Sequence, residues 1–215
     1  MGDGSADAHI DFGGGVWHVG SKIAPTTQPR FGNQLGQDMN RMVEAWEGLL
    51  REATSQDYDE MQDAMFKVAL VLERHNYPKN MNGELYEEHL SRELLRLVLD
   101  DKRQGETIDF LVAMVKARKQ DADTFLYAMG KCKPVLVIAP LLMLINELGK
   151  KWNNEGAYEA VVALDNCLKA TDEHIKDAIR ANDPSEQLDA WAEANQEDLA
   201  IRADRVLEKV EDLLE

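Results

Sequence analysis

Phosphate binding is the first chemistry that the residues suggest. Gly15-x-x-x-x-Gly20-Ser21-Lys22 has the glycine spacing of a loop whose backbone N–H groups cradle a phosphate. Its last two residues reverse the order that lets a lysine reach the phosphate and a hydroxyl hold magnesium. Pro25 stands where the following helix would begin. The spacing is therefore read as part of a glycine-rich arm, and no nucleotide or other cofactor is expected.

Metal chemistry is the second candidate. Helical bundles hold metals with Glu-x-x-His repeated on two helices, and none of the five histidines has a glutamate three residues before it. His89 has Glu93 four residues later, a spacing that would put imidazole and carboxylate on one helical face. The polar side of any amphipathic helix produces such a pair, so no metal is expected.

Nucleophilic chemistry is no better supported. Cys132 lies between Lys131 and Lys133, whose ammonium groups would lower a thiol pKa, but no orienting base is spaced to serve it. Cys132 is better read as a small apolar side chain. Asp100-Asp101 is an isolated acidic pair, and no Gly-x-Ser-x-Gly, Cys-x-x-Cys or His-Glu-x-x-His occurs. The expectation is a protein that is not an enzyme.

Charge carries more information. The 215 residues hold 40 acids and 24 bases, a formal net charge of −16, which opposes broad attraction to nucleic acid or anionic membrane. That charge is uneven. Residues 183–215 have eleven acids and three bases, net −8, whereas Lys102, Arg103, Lys116, Arg118, Lys119, Lys131 and Lys133 make the stretch 102–133 locally basic, net +3. These seven residues are a candidate basic patch, and the acidic end is a candidate partner surface.

The elements that must position these groups read as helices. Eight of the fourteen glycines, with Pro25 and Pro29, fall in residues 1–36 and mark an extended arm. The alternating stretches His9-Ile10-Asp11-Phe12 and Val16-Trp17-His18-Val19 inside it are a weak signal for an edge strand. A floppy tail explains the arm equally well.

From residue 37 the apolar period is 3.6, through Met39, Met42, Val43, Trp46, Leu49 and Leu50 in a first helix. A second opens with the cap pair Asp57 and Glu60 and stops before Pro78. Two more are predicted over about 83–100 and 106–119, with a short helix over 121–132. Val135 to Ile145 is apolar on every side and is expected to be the core, a buried helix with Pro140 in its first turn. At eleven residues it is too short for a bilayer span of about 20.

Residues 154–182 and 184–214 read as two long helices forming an antiparallel hairpin. Asp183, Pro184 and Glu186 mark the start of the second. Leu199, Val206, Val210 and Leu213 line one side of that helix, either as the inner face of a bundle or as a seam for a partner, with Gln196 interrupting it.

The fold expected is all-α, a multi-helix bundle over 37–215 behind an arm over 1–36. The function expected is a non-catalytic assembly, scaffolding or adaptor role, through protein partners or self-association. Phe12, Val16, Trp17 and Val19 would be the arm's anchors, and Leu199, Val206, Val210 and Leu213 the contacts of the C-terminal helix. Two alternatives remain open: an acidic nucleic-acid mimic that inhibits a DNA-binding protein, and a nucleocapsid-like coat that lays its basic 102–133 segment on nucleic acid. Two cysteines make no disulfide framework, no targeting signal is read, and no membrane contact is expected. The place expected is the reducing cytoplasm or a particle assembled inside the cell.

Overall fold

The computed structural model describes residues 31–78, 83–170 and 172–214, with side chains from Gly36 onward. Among these residues there are eleven α-helices and no strand, so the chain is an all-α multi-helix bundle. No helix among the described residues is long and apolar enough to cross a membrane.

α1, Phe31–Glu52, begins inside the segment that glycine content assigns to the arm. Gly32 and Gly36 are carried within it. A glycine costs a helix only about 1 kcal/mol relative to alanine, and 22 residues of amphipathic pattern absorb that. α2, Tyr58–Asn76, starts where its cap pair predicts, with Asp57 Oδ1 accepting from the N–H groups of Asp59 (3.0 Å) and Glu60 (3.2 Å). Glu60 does not reach back to the cap; its carboxylate accepts from the Ser55 hydroxyl. Val68 to Leu72 are buried without a break, so the second half of α2 is surrounded on all sides.

The single helix expected over 83–100 is three pieces. α3 is Gly83–His89, α4 is Arg92–Arg96, and Leu97–Asp100 is not helical. Ser91 causes the break, because its Oγ accepts from Leu94 N–H (3.3 Å) and starts a new helix. Tyr86, Leu90, Leu94 and Leu97 are all buried as their spacing requires, yet Leu97 and Leu99 point inward with Val98 70% exposed between them, a period of two. α5, Asp101–Ala117, is capped by Asp100, whose Oδ1 accepts from Arg103 N–H (2.8 Å). The acidic pair is thus a cap and a first turn, and α5 starts earlier than expected.

α6 is Ala122–Met129 and α7 is Pro134–Leu148. Pro134, not Pro140, occupies the first turn of α7, and Pro140 lies within the helix, where it removes one ladder donor. Nor is α7 enclosed on every side: Val137, Ile138, Leu141, Leu142, Leu144 and Ile145 are buried, but Ala139 and Met143 face solvent. A knot of polar groups joins α2, α5 and the α6–α7 link. Buried Gln104 accepts from Asn76 Nδ2 (3.0 Å) and donates to the Leu99 carbonyl (3.3 Å), while Asn76 also donates to the Lys131 carbonyl (3.0 Å).

The long C-terminal hairpin is four helices: α8 Asn154–Leu168, α9 Glu173–Ala181, α10 Ser185–Ala192 and α11 Glu197–Leu214. Asp172 breaks the first arm by accepting from His174 N–H (2.9 Å), which nucleates α9 as a separate helix. The second arm is interrupted over 193–196, at the Gln196 that breaks the apolar seam. Its start is as the sequence predicts to within a residue: Asp183 accepts from Ser185 N–H (2.9 Å), and the Pro184 carbonyl takes the N–H groups of Gln187 and Leu188.

α8 is central to the packing, against α6, α7 and α11, while α1 leans only on α2 and α4 through its second half. Gly149, at the end of α7, permits the closest approach. A Cβ there would meet Gln187 Cγ at 2.9 Å and Trp191 Cζ2 at 3.0 Å. Asp165 of α8 is buried between Lys209 and Arg202 of α11. Burial pushes its carboxyl up, but the Lys209 hydrogen bond and the nearby cations outweigh this and hold it below the usual value.

Candidate functional site

The arm residues Phe12, Val16, Trp17 and Val19, and the Gly15 to Lys22 spacing, lie outside the described residues. The other expected contacts are corrected by the fold. Leu199, Val206 and Val210 are fully buried and Leu213 packs on the core, because α11 turns this face onto α8 and α10. They are the inner side of a bundle helix and present no seam.

The seven cations of 102–133 are not assembled into one patch either. Lys102, Arg103 and Lys133 lie near the start of α5, and Lys116, Arg118 and Lys119 near its end, about 24 Å away at 1.5 Å per residue. Most already hold carboxylates. Lys116 meets Glu147 (2.8 Å), Lys131 meets Glu73 (2.7 Å), Lys133 meets Asp101 (2.9 Å) and Lys102 faces Glu106 (3.7 Å). Arg118 bonds Asp121 (2.9 Å) and the Ser55 carbonyl (2.6 Å). Glu73, Asp101 and Glu147 lie outside the stretch whose charge was summed.

Cys132 and Cys167 are buried, and burial pushes both thiols up, Cys167 to about 12. The ammonium groups of Lys131 and Lys133 are drawn off to Glu73 and Asp101. His89 sits edge-on to Phe66, ring centroids 5.2 Å apart, and the break at Ser91 takes Glu93 off its helix.

Two concavities of similar size remain. The first, about 670 Å³, lies between α1 and the 96–103 segment. Its apolar residues are Met39, 61% exposed, Val98, 70% exposed, and half-buried Met42 and Val43. They belong to the same stripe as Trp46 and Leu49, which α2 and α4 cover further along. Glu44 and Asp100 stand beside Arg96 and Arg103, and an adjoining hollow adds Asp38, Glu93, Arg41 and Arg92. Four acids and four arginines therefore surround an apolar strip.

The second, about 630 Å³, is formed by three helices and the turn before α11. Asp59, Gln62, Asp63 and Phe66 come from α2, Asp123, Thr124 and Tyr127 from α6, and Glu155, Tyr158 and Glu159 from α8, with Gln196 closing one end. Burial raises the Asp123 carboxyl, with Asp121 and Glu155 adding to this against backbone hydrogen bonds. Burial also raises Glu159, helped by Asp123 and opposed by Lys131 and Arg202. Thr124 Oγ1 and Gln196 Oε1 are closed to solvent and have no hydrogen-bond partner.

The cleft was not foreseen from the sequence, although each helix carries its signal. Asp59, Asp63 and Phe66, Asp123 and Tyr127, and Glu155, Tyr158 and Glu159 all set an acid and an aromatic ring three or four residues apart, on one helical face. Only the fold makes the three faces converge. No protein-family model and no curated protein matches the chain.

Proposed function

We propose that the chain is a non-catalytic assembly or adaptor protein, and that it self-associates through the bare half of α1 and the adjoining 96–103 segment. The occupant of that groove is the same face of a second copy, related by a two-fold axis. Charge supports this reading. Two copies of a molecule at −16 repel over most of their surface, but here four acids are matched by four arginines around exposed Met39 and Val98. A two-fold contact sets each sign against the other and covers the apolar strip. The length of α1, about 33 Å for its 22 residues, gives room for the roughly 800 Å² per partner that a stable contact needs. The arm joins α1 at Phe31, at the end of the helix that carries this face.

The coat reading is weakened by the carboxylates that most of the 102–133 cations already hold. Sedimentation equilibrium of the wild type and of the double variant Met39→Glu, Val98→Glu tests the proposal. A wild-type dimer and a monomeric variant of unchanged helicity are expected. A wild-type monomer at all concentrations, or a dimer that the variant leaves intact, would overturn it.

A further inference from the structure

The cleft between α2, α6 and α8 asks for a ligand of a different kind. Its unmet groups are all acceptors: five carboxylates from three helices, the Gln196 amide oxygen and the Thr124 hydroxyl oxygen. No lysine or arginine lines it. Asp123 and Glu159 sit partly buried beside one another, which costs each its hydration, and nothing lining the cleft repays that cost. An anion is excluded by charge, and a neutral apolar ligand would deepen the desolvation.

A bare metal ion does not fit either. Among the described residues no three of His, Cys, Asp and Glu converge tightly enough to hold one. Spread carboxylates suit a cation whose charge is itself spread. Aromatic walls suit its carbon stem, and the rings already attract cations. Lys131 Nζ lies 5.1 Å from the centroid of Tyr127, and the Arg202 guanidinium 5.7 Å from that of Tyr158. The volume, about 630 Å³, lies within the range of roughly 300–1,000 Å³ typical of small-ligand sites.

We propose that this cleft binds a linear organic cation carrying more than one ammonium group. Free polyamine and a lysine-rich segment of a protein both present that chemistry. The ammonium groups pair with Asp123 and Glu159 at the floor and with Asp59, Asp63 and Glu155 along the rim. Their N–H donors fill the Gln196 and Thr124 acceptors, and the methylene stem lies on Tyr127 and Tyr158. The site is separate from the α1 groove, and its occupancy does not depend on self-association.

Calorimetric titration of the full chain with spermidine, and separately with a four-lysine peptide, tests this against two double variants. Asp123→Asn, Glu159→Gln removes charge from the cleft; Glu208→Gln, Asp212→Asn removes equal charge from the exposed side of α11. At least one probe is expected to bind the wild type at one site. The cleft variant should weaken it by about tenfold or more and the control variant by less than about twofold. Which probe binds tighter identifies the source of the cation. Binding of neither probe, or equal weakening by both variants, would overturn the proposal. Unchanged helicity of the cleft variant shows that it still folds.

Discussion

The two concavities are nearly equal in volume and opposite in electrostatics. In the α1 groove, acids and arginines cancel around exposed Met39 and Val98. In the cleft, five carboxylates meet with no lining cation, over three aromatic rings. The first surface is complementary to itself, and the second repels itself and suits only positive charge. A net charge of −16 therefore describes neither. Local balance decides where a second copy can approach, and local imbalance decides where a cation can settle.

The largest effect that separates the two belongs to the groove. Met39→Glu with Val98→Glu adds two like charges to each copy, so a symmetric contact gains four. Dimer affinity should fall by more than about a hundredfold, seen as the loss of the heavier species in light scattering. The same variant should leave cation binding in the cleft unchanged, and a joint loss would mean that the two sites are not independent.

pH provides the next separation. Asp123 and Glu159 titrate above the ordinary carboxylate range, so the cleft loses negative charge as pH falls through their raised values, before its other acids protonate. Cation affinity should drop there by about tenfold while the dimer persists, since the groove holds no group with a raised carboxyl. A flat titration curve down to the ordinary carboxylate range would break the assignment of these two residues. Asp121, Glu155, Lys131 and Arg202 are the charged neighbours that set these values, and Arg202→Met should raise that of Glu159 further.

A smaller effect is expected at Asp165, which is structural. Its carboxyl is depressed, so its contribution is present above the unfolded value and is lost as pH falls through the folded one. Lys209→Met should destabilise the bundle by about 1–2 kcal/mol in urea unfolding, because Arg202 remains at 3.6 Å. It should also flatten the acid limb of the stability profile. Neither binding site should respond.

The smallest effect concerns the arm. Since α1 begins at Phe31, a truncation meant to test the arm must stop at residue 30, not 36. A chain starting at Phe31 should dimerise with affinity changed by less than about tenfold. Complete loss of the dimer would shift the contact from α1 to Phe12, Val16, Trp17 and Val19.

Helix starts were legible in the sequence wherever a side chain makes the cap: Asp57, and Asp183 to within a residue. The breaks were not. Tyr86, Leu90, Leu94 and Leu97 keep helical spacing across a chain that leaves the helix at Ser91, because burial constrains which side chains point inward and not the path between them. Asp172 interrupts the C-terminal hairpin in the same way, capping a helix in the middle of a continuous apolar pattern.

The sites were less legible than the fold, for a reason of distance along the chain. Lys131 is neutralised by Glu73, 58 residues away, which no local charge sum includes. The acid–aromatic pairs of α2, α6 and α8 look like three solvated faces until packing brings them together. The α11 seam shows the reverse: an apolar stripe fit for a partner is instead spent on α8 and α10.

The most direct test of the account is a distance between copies. Val98→Cys and, separately, Ile201→Cys place a reactive thiol at an exposed position, one beside the α1 groove and one on α11. Native Cys132 and Cys167 are buried with raised thiols, so a nitroxide label reports the new site alone. Pulsed dipolar spectroscopy should show a short, narrow distance between copies for the Val98 label, with weak or distant coupling for Ile201. Coupling that is absent at Val98, or shorter at Ile201, would contradict it.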